Sequence, residues 1–134
     1  MFLLNIDHIG IAVRDLDVAI DEYRRQYHVE PTHREVVESQ GVEEAMIPIG
    51  GSHVQLLAPL HEDSPVGKFL ATRGEGMHHV AYAVLDIEAA LAHLRAEGVR
   101  LIDEEPRLGG GGARIAFVHP KSLAGTLVEL VESP

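Results

Sequence analysis

The sequence predicts an α+β fold built from two tandem β-α-β-β-β modules related by a pseudo-twofold axis. The main observation is a repeat: the order of histidine, apolar and small residues in His8–Val13 returns 71 residues later in His79–Val84. A second block, residues 51–57, returns as residues 125–131. Matched blocks in the same order, with small changes of spacing, are typical of a duplicated module.

Length and composition fit one globular domain. The chain has 134 residues, of which 46% are hydrophobic and 24% are charged, and this is enough to bury a core. It has no cysteine, which excludes disulfides and thiolate metal sites, and we expect a cytoplasmic protein. The net charge of −10 argues against nucleic-acid binding, which requires Lys and Arg to neutralise phosphates. Without a basic leader or a long apolar run, neither a signal peptide nor a membrane span is expected.

The first module is expected over about residues 1–66. The residues 3–13, rich in Ile and Val, predict a strand. Asp15 can cap a helix that runs to about Tyr27, because apolar residues recur there at three- and four-residue steps. A short linking helix is expected over 65–72. The remaining strands of this module are expected near 33–38, 43–49 and 52–58.

The second module, over about residues 72–134, follows the same order. Asp86 caps a helix that ends at Gly98, with an apolar stripe of helical spacing between them. The run Gly109–Gly112 precedes a strand rather than a helix, which favours a flap or hairpin connection over a phosphate-binding loop. The strands are expected near 100–103, 113–118 and 125–131.

The first strand of each module has one face with little side-chain volume. Because alternate residues of a strand share a face, His8 is followed on its own face by Gly10 and Ala12, and His79 is followed by two alanines. Core strands normally fill both faces to close-packed density. The space beside each histidine therefore predicts a shared cavity. Four other histidines are expected to be solvated: His28, His33, His61 and His93.

Each module also carries a potential metal ligand in its last strand. Gln55 and Glu129 occupy matched positions inside apolar runs, where an unpaired buried carboxylate would be costly. If the modules pack symmetrically with their open faces together, these two residues converge with His8 and His79. Two imidazoles, an amide oxygen and a carboxylate suit a divalent cation, and they leave two of six octahedral positions for a bidentate ligand or waters.

These features resemble the vicinal oxygen chelate (glyoxalase/bleomycin resistance/dioxygenase) superfamily, in which paired β-α-β-β-β modules enclose a metal-containing cleft. Within it, the chain is similar to the methylmalonyl-CoA epimerase family along essentially its whole length. The segments that carry this similarity are Asp7–Ala12, Gln40–Val42, Glu44–Met46, Gln55–Leu57, Asp63–Pro65, Gly74–Gly76, His78–His79, Glu104–Arg107 and His119–Lys121.

The resemblance implies a metal-dependent isomerase that acts on methylmalonyl-CoA, and it also implies a homodimer. Strand periodicity alone does not choose between Glu43 and Glu44 as a catalytic base. The resemblance selects Glu44, and it offers Glu129 as the second base. One divalent cation is implied, with cobalt favoured over manganese, zinc or nickel, and its ligands would be His8, Gln55, His79 and Glu129. Three residues are weaker candidates for holding the substrate: Gln40, Arg114 and Lys121.

The expected chemistry is removal of the C2 proton by one base and return of a proton to the other face of the enolate by a second base. A carboxylate is too weak a base for that proton unless the enolate is stabilised. A divalent cation chelated by the thioester and carboxylate oxygens of the substrate would stabilise it.

Two other functions fit the same scaffold. A glyoxalase-type isomerase, similar to lactoylglutathione lyase, usually has a carboxylate where this chain has Gln55. A non-catalytic small-molecule-binding protein of this fold generally lacks the metal ligands. An extradiol dioxygenase would need two histidines and one carboxylate around an open iron. Metal content and proton exchange on methylmalonyl-CoA distinguish these alternatives.

Overall fold

A computed structural model describes residues 2–134 and shows the β-α-β-β-β order twice, which confirms the predicted fold class. The strands are β1 Leu3–Ala12, β2 His33–Val37, β3 Val42–Ile49, β4 Ser52–Pro59, β5 Gly76–Val84, β6 Arg107–Leu108, β7 Arg114–Val118 and β8 Val128–Glu132. The α-helices are α1 Leu16–Tyr27, α2 Pro65–Arg73 and α3 Ile87–Ala96. Short 3-10 turns lie at Glu38–Gln40, Gly110–Gly112 and Pro120–Ser122.

The chain divides into two compact units. The first unit is His8–His78, and the second is His79–Pro134 together with the residues that precede His8. The module boundaries expected near residues 66 and 72 stay a prediction. Within residues 2–134, none of the helices has the length and apolar character needed to cross a membrane.

In the first unit the strand order is β2-β3-β4-β1. Strands β1 and β4 are parallel, with Gly10 opposite Gln55, and the other pairs are antiparallel. One face of this sheet packs against α1, where Leu16 and Ile20 meet Leu56 and its apolar neighbours. The opposite face carries His8 and Gln55, because residues opposite each other in neighbouring strands project from the same side.

The second unit repeats this arrangement with the order β5-β8-β7-β6. Strands β5 and β8 are parallel and place Ala81 opposite Glu129, the positions that the sequence repeat matches to Gly10 and Gln55. Helix α3 covers one face of the sheet, with Leu91 packed against Leu130. The register of both parallel pairs is therefore the same, as expected for a duplicated module.

Local signals in the sequence set the ends of the helices. The Asp15 carboxylate accepts a hydrogen bond from the N–H of Val18 at 3.1 Å, and Asp86 accepts one from Ala89 at 3.0 Å. Both aspartates satisfy amides that have no partner inside the first turn of the helix. Helix α2 begins at Pro65, a position where the missing proline N–H costs nothing.

The prediction of a strand near residues 100–103 is wrong. Only Leu101 forms an isolated bridge, with Val118, and the edge strand is instead β6. The Asp103 side chain accepts the N–H of Phe117 at 2.8 Å, a group that would otherwise be available to a neighbouring strand. Pro106 then ends this irregular segment and lacks an N–H for pairing. The glycine run connects β6 to β7 as a hairpin, with Gly111 at a φ of 64°, and no helix follows it.

We predict that Gly67→Ala destabilises the protein. A Cβ atom at this buried position in α2 would lie 2.5 Å from the carbonyl oxygen of Glu62 and 2.7 Å from that of His61. Displacing this backbone should lower the free energy of unfolding by about 1–3 kcal/mol, measured by urea denaturation. Gly51→Ala is the control, because its Cβ would have no atom within 4 Å. Equal stability of the two variants would contradict the packing described here.

Candidate active site

The first unit contains a buried polar face on β1 and β4. His8 and Gln55 are both buried there, and Gly10, which has no side chain, lies opposite Gln55. On the other face of the same strands, Leu56 and its neighbours fill the contact with α1. Strand alternation thus separates a packed face from a polar one within each strand.

The Gln55 amide is oriented by a carboxylate. Its Nε2 donates a hydrogen bond to Oε1 of Glu44 at 3.3 Å. The amide therefore presents its NH2 group to Glu44 and directs its oxygen elsewhere. That oxygen, Oε1, is buried and has no hydrogen-bond partner among residues 2–134. A buried acceptor without a partner is costly unless it has a ligand to bind.

The structure separates the two neighbouring glutamates of β3. Glu44 is only 3% exposed and lies on the face that carries Gln55. Glu43 points to the other side and pairs with Arg34 at 2.9 Å. The hydrogen bonds from Arg34 to Glu43 and Asp17 raise the pKa of its guanidinium above the usual value. Of the two, only Glu44 is placed to act beside Gln55.

The second unit holds the other half of the predicted ligand set. His79 and Glu129 are both buried, and His79 Nε2 lies 3.1 Å from Glu129 Oε1. If two atoms bind one metal at right angles, each about 2.1 Å from it, they lie about 3.0 Å apart. The distance between His79 Nε2 and Glu129 Oε1 is close to this value. The ring of Phe117 packs edge-on against the His79 imidazole, with centroids 5.6 Å apart, and restricts its orientation.

The three predicted substrate-binding residues lie outside these two pairs. Arg114 forms ion pairs with Glu88 of α3 at 3.3 Å and with Glu132 at 3.4 Å. It therefore lies on the helix-covered face of its sheet, which favours a structural role. Gln40 ends a 3-10 turn and is half-buried, while Lys121 is exposed. Their roles in substrate binding stay predictions.

The backbone at Lys121 is held by a neighbouring histidine. The Lys121 N–H donates to Nδ1 of His119 at 3.0 Å. Partial desolvation and the positive charges of Arg100 and Lys121 lower the pKa of His119. The lowered pKa favours the neutral ring, whose Nδ1 can accept this hydrogen bond.

The sequence did not predict the contact between two residues of β2, His33 and Glu35. His33, expected to be solvated, is half-buried, and its Nε2 lies 2.6 Å from Oε1 of Glu35. Glu35 is opposite Glu44 in the β2–β3 register, and His33, Glu35 and Glu44 place one nitrogen or oxygen atom each within 4.8 Å of one another. Strand alternation could have found this pair, since residues 33 and 35 share a face. The other three histidines expected to be solvated are exposed.

Comparison with known proteins identifies the family. The sequence profile of the Glyoxalase/Bleomycin resistance protein/Dioxygenase superfamily matches residues 7–117. The chain belongs to this superfamily. Among solved members, it is similar to a variant of Streptomyces coelicolor methylmalonyl-CoA epimerase in complex with 2-nitronate-propionyl-CoA. The two are 51% identical with a TM-score of 0.95, covering 98% of this chain and 95% of that chain.

The chain is also similar to two further epimerases. A methylmalonyl-CoA epimerase in complex with methylmalonyl-CoA and NH4+ is 51% identical, with a TM-score of 0.95 and coverage of 98% of this chain and 95% of that chain. The ethylmalonyl-CoA/methylmalonyl-CoA epimerase of Cereibacter sphaeroides is 37% identical over 127 residues, which are 93% of this chain and 95% of the relative.

The polar residues of each unit fit a divalent cation. Gln55 offers a buried amide oxygen that has no hydrogen-bond partner within the described part of the chain. His79 and Glu129 offer a nitrogen and an oxygen at the spacing of neighbouring ligands. Imidazole nitrogens with amide and carboxylate oxygens are a donor set that cobalt, manganese, zinc and nickel accept.

We predict that Phe117→Leu weakens cation binding about tenfold, because residues that orient a metal ligand contribute on this scale. A smaller, flexible side chain would leave the His79 ring less restricted. The measurement is titration calorimetry with Co2+. Val118→Ala is the control, since its side chain packs in the core beneath α3 on the other face of the sheet. Equal weakening in both variants would indicate general destabilisation and contradict the prediction.

Proposed function

We propose that this chain is a methylmalonyl-CoA epimerase, which interconverts the (2R) and (2S) epimers by removing the C2 proton and returning one to the opposite face. The observation that carries this proposal is the buried Glu44 carboxylate, held by the Gln55 amide on the polar face of the first unit. The similarity to epimerases over nearly the whole chain supports the same reaction and substrate.

We propose further that His8, Gln55, His79 and Glu129 hold one divalent cation, with cobalt favoured over manganese, zinc or nickel. When bound, the cation would supply positive charge next to the thioester and carboxylate oxygens of the substrate. The unpartnered Gln55 oxygen and the spacing of His79 and Glu129 support this assignment.

In this proposal Glu44 removes the C2 proton. Its burial keeps bulk water from the carboxylate. The Gln55 N–H group holds Oε1 of Glu44 and thereby limits rotation of the carboxylate, which favours a reactive orientation. The proton moves from C2 to a Glu44 oxygen, and the electron pair of the C–H bond passes into the enolate.

Glu129 is proposed as the second base, on the opposite face of the planar enolate. It would deliver a proton to C2 in one direction of the reaction and remove one in the other. One of its oxygens lies 3.1 Å from Nε2 of His79. Gln40 and Lys121 remain candidates for contacting the substrate, while the ion pairs of Arg114 favour a role in the fold.

The residue at position 55 separates this proposal from a glyoxalase-type isomerase. A carboxylate at this position would lie next to Glu44, and the two negative charges would repel. The neutral Gln55 amide instead donates to Glu44. The named epimerase relatives further favour epimerisation over non-catalytic binding of small molecules. A homodimer and a cytoplasmic location stay predictions from the resemblance and the composition.

We predict that Glu44→Gln abolishes exchange of the C2 proton with deuterated solvent for at least one epimer while metal binding is retained. An amide has no basic site for that proton. Exchange is measured by mass spectrometry on each epimer separately. Glu43→Gln is the matched control, because this neighbouring carboxylate pairs with Arg34 on the opposite face. Normal exchange of both epimers by Glu44→Gln would remove Glu44 from the mechanism.

We predict that His8→Ala and His79→Ala each lose the bound metal. Removing one nitrogen from the proposed set leaves three ligands and should lower the affinity by at least about tenfold. Metal content after dialysis is measured by inductively coupled plasma mass spectrometry. His93→Ala, which changes an exposed histidine of α3, is the control. Full metal content in both His8→Ala and His79→Ala would contradict the ligand assignment.

A further inference from the structure

The base Glu44 needs a way to exchange its proton with solvent. In an epimerisation with two bases, each turnover leaves one base protonated and the other ionised, so the starting form must be restored before the next turnover. Glu44 is 3% exposed, and its contact with Gln55 is to an amide N–H, which does not carry protons onward. A route for the proton must therefore pass through a group other than this amide.

Two residues on β2 connect Glu44 to the surface. Glu35 lies opposite Glu44 in the β2–β3 register, and His33 contacts Glu35 with 2.6 Å between Nε2 and Oε1. One nitrogen or oxygen atom from each of the three residues lies within 4.8 Å of the others. Exposure rises along this series: 3% for Glu44, 33% for the Glu35 side chain and 40% for the His33 side chain.

We propose that Glu35 and His33 form a proton path between Glu44 and solvent, which resets the base between turnovers. The protonated Glu44 gives up its O–H proton as a Glu35 oxygen gains it. Glu35 then transfers a proton to His33, and the imidazolium releases one to water. No electrons change hands, and both carboxylates return to their ionised form. Histidine suits the last step because its two ring nitrogens can accept and donate a proton.

The neighbouring residues of β2 and β3 do not offer this path. Arg34 and Glu43 lie between the members of the series in sequence but on the opposite face, where they pair at 2.9 Å. A proton on Glu43 would therefore be separated from Glu44 by the sheet. This pair provides a control that changes a carboxylate one residue from Glu44 without touching the proposed path.

The path rests on the proposed function and predicts a specific isotope result. A single epimer is incubated in D2O, and two quantities are measured early: the fraction converted, and the deuterium content of the unconverted epimer. Deuterium enters the unconverted epimer only if the base that removed the proton exchanges it with solvent and returns a deuteron to the same face. The ratio of these quantities reports proton exchange at that base. The epimer used is the one whose exchange Glu44→Gln abolishes.

We expect Glu35→Gln and His33→Ala to lower this ratio about a hundredfold, the lower end of the range in which a positioned acid or base contributes. Added imidazole should restore the ratio in His33→Ala, which a purely structural loss would not allow. Glu43→Gln should match the unchanged protein. The path is overturned if both path variants keep the normal ratio, or if imidazole fails to restore His33→Ala. It is also overturned if the unchanged protein forms product while its unconverted epimer gains no deuterium.

Failure of the path is distinguishable from failure of the proposed function. If Glu44→Gln still exchanges both epimers, the base assignment itself is wrong, and the path has no base to serve. If Glu44→Gln is inactive but the path variants behave normally, only the path is rejected.

Discussion

Side-chain alternation along parallel strand pairs is the constraint on which the proposed site depends. In β1 with β4, and in β5 with β8, a polar residue of one strand lies opposite a glycine or alanine of its partner. The small residue leaves room for the polar group, and the intervening residues pack against a helix. A shift of register by one residue would move the polar groups into the helix contact and the apolar ones out of it.

Burying polar groups on these faces costs folding free energy, and a role in ligand binding would explain why they are there. Gln55 keeps a buried oxygen without a hydrogen-bond partner in the described chain, and Glu129 is a carboxylate in a buried position. Apolar residues of similar size would often be at least as stable at such positions. A cation that binds the folded chain would offset this cost, because a ligand specific to the native state stabilises it. The apolar faces under α1 and α3 would then carry most of the stability of each unit.

The sequence predicted the fold class because the repeat shows two copies of one module, and the strand and helix periodicities give the order of elements within each copy. It also placed Gln55 and Glu129 inside apolar runs of their strands, and both residues are buried. It did not predict the irregular segment at Asp103, where a side chain takes the backbone N–H of Phe117.

Periodicity could not choose between Glu43 and Glu44 either, because only the partner strands decide which face of β3 is buried. The pairing of Arg34 with Glu43 and of Gln55 with Glu44 is set by residues distant in sequence. From the sequence, His33 is expected on a solvated helix or loop surface. Its contact with Glu35 depends on the alternation of β2, and its proximity to Glu44 depends on the β2–β3 register.

The central claim is that this chain moves the C2 proton of methylmalonyl-CoA with the help of a bound divalent cation. Deuterium incorporation at C2, measured in D2O with and without a chelator, tests it most directly. The expected result is exchange and epimerisation by the metal-loaded protein, loss of both after chelation, and recovery when Co2+ is restored. Exchange that persists after the metal has been removed, or a metal-loaded protein that exchanges neither epimer, would contradict the claim.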